Sequence, residues 1–265
     1  MESEIKKDPK GRITLIALLS VILLFVIYYS VMCMMSPGRK LAVLRNEYAA
    51  KSAEKSNIDK KILNDSDYLK LMKEKAFLQS RIAMAESDSC YLTINMTDSS
   101  ANLEICGVIV HKAKMSNIKI SKILSETNEN VVISLLSKPF TISGSTSTIK
   151  KDPLIYQMAP KDTSEYKPDV MPDTTLTQAT NYILETNQGV KIYVYQEETD
   201  KLNERITQMR FDLDDKLKDT WSSLKSVTSF KVPEYNLFIK IRLPRADAKI
   251  FYRAIPKNGQ IALFN

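Results

Sequence analysis

The sequence predicts a single transmembrane helix, then a helical, coiled-coil stalk, then a mostly β (α+β) extracytoplasmic domain with one long amphipathic helix. Three observations predict this order. An uncharged apolar run occupies Ile13–Met35. A segment rich in Ala, Lys, Glu and Leu, with no Pro or Gly, extends from Leu41 to Glu86. Beyond Ser89 the apolar residues alternate as strands require, apart from one stretch with helical spacing.

As a helix, the run Ile13–Met35 reaches about 34 Å, slightly more than a hydrocarbon core of roughly 30 Å. Polar sequence bounds it at once, with Lys10, Gly11 and Arg12 before it and Ser36, Pro37, Gly38, Arg39 and Lys40 after it. A cleaved signal peptide has a shorter apolar region, about 7–15 residues, and a small-residue exit. Here the exit is bulky, Val31 to Met35, and Met32 is too large for a lipoprotein site at Cys33. A retained signal anchor is therefore expected. Positive charge is nearly tied across it: Lys6, Lys7, Lys10 and Arg12 on one flank, Arg39, Lys40, Arg45 and Lys51 on the other. The short tail favours a cytoplasmic N-terminus. The expected organisation is a tail at 1–12, the span at 13–35, the stalk at 36–88 and the outer domain at 89–265, in the inner (plasma) membrane.

In the stalk, a heptad frame starting at Leu41 places Leu41, Tyr48, Ile62, Leu69, Ala76 and Ala83 at position a, with Lys55 breaking the row. Leu44, Ile58 and Met72 hold position d, interrupted by Lys51, Asp65, Gln79 and Glu86. The capping residues Asn64 to Asp67 divide the segment into two helices, about 39–63 and 67–87. Leu41, Leu44, Tyr48, Ile58, Ile62, Leu69 and Met72 are the candidate interface, for self-association or for another envelope protein. The alternative is a helical spacer whose second half packs on the following domain.

Expected strands are Tyr91–Met96, Ala101–Val110, Val131–Leu136, Pro139–Ser143, Asn181–Thr186, Val190–Gln196, Tyr235–Leu243, Lys249–Ile255 and Gln260–Phe264. Turns at Asn187-Gln188-Gly189 and at Pro256 to Gly259 mark two hairpins. Between them, residues 199–228 carry Leu202, Ile206, Met209, Leu213, Leu217, Trp221 and Leu224 at helical spacing, which predicts a core-facing stripe. Residues 150–177, with Pro153, Pro160, Pro168 and Pro172, read as a long loop.

The formal charge of +7 is dispersed among acids. It suits a solvated basic surface or an anionic partner such as a membrane or wall polymer, and no nucleic acid. A three-residue loop at Thr97–Ser99 would set Cys90 opposite Cys106. The pair is then either a disulfide or two free thiols. The lone histidine, His111, is five residues from Cys106, and in one strand such residues point to opposite faces. Asp212, Asp214, Asp215 and Asp219 read as a solvated face. No dinucleotide fingerprint, phosphate-binding loop, nucleophile elbow or metal-ligand spacing is present, so no catalytic, cofactor or metal residue is expected.

Two stretches, Lys73–Ser116 and Ile239–Phe264, resemble envelope proteins of the Bacteroidota related to L,D-transpeptidases (the YkuD fold). In the first, a helix leads into a strand of the form I-N-x-x-D-S, here Ile94 to Ser99, and a hairpin follows. Together they cover roughly a quarter of the chain. Active members carry a His-Gly dipeptide and a Ser-x-Gly-Cys nucleophile motif. Neither occurs here, so the resemblance implies a non-catalytic relative and carries over no catalytic residue. The expected role is a bitopic scaffold subunit of an envelope assembly. Alternatives are a wall transpeptidase using Cys106 or Cys90, or a peptidoglycan-binding module.

Overall fold

The structure is a computed structural model and describes residues 9–49, 65–151, 178–199 and 201–265. Residues 152–177 of the predicted loop, and the stalk positions Ile58 and Ile62, lie outside the described residues. The chain divides into two compact units, one holding the N-terminal helix to Val43 together with Asp214–Tyr235, the other holding the remainder.

In the first unit, helix α1 (Pro9–Leu44) passes through Pro37 and runs into a π-helical turn, Arg45–Ala49. Its large apolar side chains from Leu15 to Ile27 are exposed. By length and composition it can cross a membrane. Two of its hydroxyls are turned back onto the helix: Ser20 donates to the Ala17 carbonyl and Ser30 to that of Val26, both at 2.8 Å. That masks their polarity from an apolar surround. Ser36, buried, donates to the Pro233 carbonyl at 2.8 Å. The Tyr28 and Phe230 rings meet at 6.2 Å. The Lys40–Glu234 ion pair, at 3.5 Å with Glu234 largely exposed, adds little.

The second unit begins with Leu44. Its sheet strands are β1 (Tyr91–Asn95), β2 (Ser100–Ile105), β3 (Val108–Lys114), β4 (Ser116–Ile120), β5 (Phe140–Ser147), β6 (Asn181–Thr186), β7 (Val190–Gln196), β8 (Leu237–Leu243) and β9 (Gln260–Phe264). Their order is β3-β2-β1-β9-β5-β6-β7-β8-β4, with β1–β9 and β7–β8 parallel. β5 pairs with β9 at its start and with β6 from Ile142 on, across a register shift at Ile142/Gly144, so it serves both halves of the sheet. The two edge strands, β3 and β4, are joined by the buried Met115 alone.

Helices α2 (Ser66–Ala85), α3 (Lys122–Glu126), α4 (Glu129–Leu136), α5 (Leu202–Thr228) and α6 (Arg245–Ala254) accompany the sheet. α2, the second half of the predicted stalk, packs on the folded unit, the alternative kept open above. It buries Ala76, Ser80 and Met84, one face at four-residue spacing, and packs on α4 and β9. Phe77 meets Phe264 at 5.2 Å, and Leu69 and Met72 lie half-buried on the same side. Leu44 is buried, Leu41 and Tyr48 are half-buried, and the π turn packs on α4. These positions form no heptad seam among the described residues. The π turn, inserted between Leu44 and Tyr48, also breaks the heptad register.

Two predicted strands are helices. Val131–Leu136 belongs to α4, whose cap Asn128 accepts from the Asn130 N–H at 2.9 Å. Its apolar run is buried all round, so it has no period to read. Lys249–Ile255 lies mostly in α6, where Ala248, Phe251, Tyr252 and Ile255 are buried at helical spacing, so the turn at Pro256–Gly259 connects a helix to β9. The predicted strand Ala101–Val110 is β2 and β3, separated by Cys106 (φ 49°) and Gly107 (φ 82°), both left-handed. Such a pair makes the tight turn of a hairpin.

α5 begins at Leu202, three residues into the predicted stretch 199–228. It ends in a Schellman motif, with the Phe230 N–H bonded to the Val227 carbonyl and the Lys231 N–H to that of Ser226. The left-handed residue is Phe230 (φ 55°) instead of glycine, at a cost of about 1–2 kcal/mol.

Beside these apolar contacts, an ion pair ties α2 to the sheet. Glu104, 1% exposed, accepts from Arg81 Nε and Nη2 at 3.1 and 2.9 Å and from the Thr93 hydroxyl at 2.7 Å. Removing one partner of such a pair strands a buried charge. Arg81→Ala is expected to lower stability by about 3 kcal/mol, read as a lower urea midpoint of the detergent-solubilised chain.

Candidate functional site

The sequence-predicted reactive residues do not converge. Tyr91 pairs with Glu104 and Asn95 with Ser100, so the first loop is Met96–Ser99 and Cys90 falls level with Ile105. The loop gains its fourth residue from an exchange between Asn95 and Asp98: the Asp98 N–H donates to Asn95 Oδ1 at 3.0 Å, and Asn95 Nδ2 donates to Asp98 Oδ2 at 2.8 Å. A one-residue slip moves side chains to opposite faces. Cys90 and Cys106 are accordingly free, the first half-buried and the second exposed. Burial pushes the Cys90 thiol up. The Cys106 thiol is pushed up by desolvation, by its 3.6 Å hydrogen bond to Asp88 and by that carboxylate's charge. Neither is an activated thiolate.

His111, on β3, meets Asp247 of α6 with Nε2 to Oδ1 at 2.8 Å, and its ring lies edge-on to Phe251 at 5.5 Å. No sequence signal points to this partner, because Asp247 lies more than a hundred residues away beside a segment that reads as a strand. Among the described residues, no group of three or more His, Cys, Asp and Glu side chains could hold a metal ion. A cavity between α3, α4 and the sheet is lined by Leu124, Val132, Leu136, Phe140, Val190 and Ile239 among others, with no titratable side chain. It offers shape and apolar contact, but no acid, base or nucleophile.

The prominent features are exposed apolar surfaces. On the β2–β3 hairpin, Val108 (67% exposed), Ile109 and Val110 stand open on an edge strand, next to the exposed Ile105. An unprotected apolar edge is a pairing site for another strand. The other is α5. Leu202, Ile206, Met209, Leu213, Leu217 and Trp221, predicted to be core, are all exposed.

What α5 turns inward is largely polar. Phe211 joins Ile183, Tyr193 and Tyr195 in one cluster, and the Tyr195 hydroxyl donates to Asp212 Oδ1 at 2.7 Å. Glu204, buried, accepts from Arg245 at 2.8 Å, and Asp215 is also buried. The acids Asp212 and Asp215, expected on a solvated face, therefore face inward. The helix is amphipathic as predicted, but with its faces reversed.

No protein-family model matches the chain, and neither a curated protein nor a solved structure matches it.

Thiol labelling checks the register of the hairpin. A maleimide is expected to modify Cys106 rapidly in the folded chain and Cys90 slowly, with full reactivity before any reductant is added. Two thiols titrating only after reduction would contradict the observed pairing.

Proposed function

We propose that this protein is a bitopic, membrane-anchored, non-catalytic structural subunit of a cell-envelope assembly. Its N-terminus is cytoplasmic and its folded domain extracytoplasmic. The observation that carries the reading is α1: uncharged from Ile13 to Met35, apolar, and with its large apolar side chains exposed from Leu15 to Ile27. Water solvates such a surface poorly, and a bilayer accommodates it with every backbone hydrogen bond made inside the helix. The bulky exit of the run supports retention of the anchor over cleavage.

Several observations favour a structural role over an enzymatic one. The cavity lining holds no titratable side chain. His111 is engaged by Asp247 instead of a nucleophile. Both thiols outside α1 are pushed up, away from reactivity. The open edge of β3 supplies a surface for assembly, on which an envelope protein or a second copy of this chain adds a strand. The resemblance to envelope proteins related to L,D-transpeptidases supports a position for the assembly beside peptidoglycan.

Alkaline carbonate is expected to leave the chain in the membrane pellet, and intact-mass measurement to find Met1–Met35 retained. Release into the supernatant, or a mature chain lacking those residues, would overturn the anchor. Val108→Lys with Val110→Lys is expected to abolish co-purification of the partner, or self-association, without lowering the unfolding midpoint. Unchanged recovery would remove β3 as the assembly surface.

A further inference from the structure

We propose that the C-terminal half of α5 and the Phe230 turn form a second membrane contact, with the apolar edge seated at the acyl boundary and its lysines on anionic headgroups. This rests on the reading of α1 as a membrane span.

The first argument is continuity with that span. α1 and Asp214–Tyr235 belong to one compact unit. Within it, the Phe230 ring lies 6.2 Å from that of Tyr28, a residue of the apolar run, while Pro233 meets Ser36 and Glu234 meets Lys40, both just beyond it. Tyr28 precedes the end of the run at Met35 by about 10 Å of helix. Phe230, 83% exposed, is thereby held at the depth to which interfacial helices bury their apolar face, roughly 5–10 Å.

The second argument is charge. At about 100° per residue, Leu217, Trp221 and Leu224 fall within an arc of about 60°. Lys216 borders this arc on one side, and Lys218 and Lys225 on the other, where Asp214 also lies. Asp215 and Asp219 take the opposite face. All three lysines are exposed, and Asp215 is buried. Lysines flanking an apolar stripe extend to headgroups while their stems cover apolar surface. A tryptophan on the same edge suits the interface, where its ring is half in hydrocarbon and its N–H reaches water.

The third argument is the strain at Phe230. Glycine is the residue a Schellman motif favours. The chain instead holds a large aromatic ring in the left-handed conformation, where the protein leaves it exposed. A ring kept against local preference, with Tyr28 as its ring contact and most of its surface open, is accounted for by an external apolar phase.

The chain has one tryptophan, so Trp221 reports this contact directly. The full-length protein is reconstituted in phosphatidylcholine vesicles with and without phosphatidylglycerol, using lipids brominated at shallow acyl positions. Trp221 emission is expected to shift to the blue, to lose most of its intensity to bromine, and to resist iodide, more so in the anionic vesicles. Lys216→Glu, Lys218→Glu and Lys225→Glu together should reduce quenching in anionic vesicles to the level in phosphatidylcholine alone. Phe230→Gly, which relieves the cap, should raise the unfolding midpoint yet weaken bromine quenching, a split that a purely structural role does not produce. Iodide quenching of Trp221 with no bromine effect would overturn the proposal. So would shielding from both quenchers that grows with protein density, which would identify a second copy as the occupant. Carbonate extraction of the same vesicles separates the two readings. Retention without bromine quenching overturns this contact and leaves the span; release with bromine quenching overturns the span and leaves this contact.

Discussion

A buried carboxylate decides how the domain is put together. Glu104 is 1% exposed, and an ionised acid at that burial persists only if its charge is met and its oxygens are hydrogen-bonded. Arg81 is the only cation that reaches it among the ion pairs of the described residues, and Arg81 lies on α2. The fold of the sheet thus requires α2 beside it. Once Arg81 is fixed, the same helical face brings Phe77 to Phe264 and Met84 to Tyr91 and Ala262, and Lys73 reaches Glu129 at 3.5 Å. A segment whose composition suits a free stalk becomes part of a globular unit because one charge on the neighbouring sheet cannot be left alone.

Where period and turn chemistry agreed, the fold was legible in the sequence. β6, β7, β8 and β9 lie where alternation placed them, and Gly189 takes the left-handed turn expected of it (φ 72°). The uncharged run at Ile13–Met35 reads as one long apolar helix. Legibility failed where a side chain chose between local options. Asn95 and Asp98 lengthened a loop by one residue, and that residue separated Cys90 from Cys106. The Cys106-Gly107 turn was readable as a two-residue hairpin but was absorbed into a continuous apolar strand. α4 carried no period because it is buried on every side.

The reversed face of α5 was lost for a different reason. An amphipathic helix states that it has two faces; it does not state which phase each one meets. In a soluble protein the apolar face goes inward by default, and Trp221 was assigned on that default. The charges carried the missing information. All five basic residues of the helix are exposed, whereas three of its five acids are buried or hydrogen-bonded to the sheet side. The helix thus turns acids inward with Phe211 and sets its cations outward beside leucine, which is the pattern the proposed lipid contact draws on.

Carboxylates on the inner face also make that arrangement stable without help from the stripe. Asp212 holds the Tyr195 hydroxyl, and Glu204 holds Arg245, itself bonded through its backbone N–H to Glu198 at 2.8 Å. These are charge-assisted hydrogen bonds, stronger than neutral ones and directional, so they fix the rotation of the helix about its axis where apolar packing alone would leave it free to turn. Rotation by half a turn would bury the leucines but would strand Arg245 and leave the inner acids unpaired. Losing the partner of a buried charge costs about 3–5 kcal/mol, which opposes the gain of about 1.5–3 kcal/mol for each leucine covered. The polar contacts therefore set the rotation at which Leu202, Ile206, Met209 and Leu213 stand exposed.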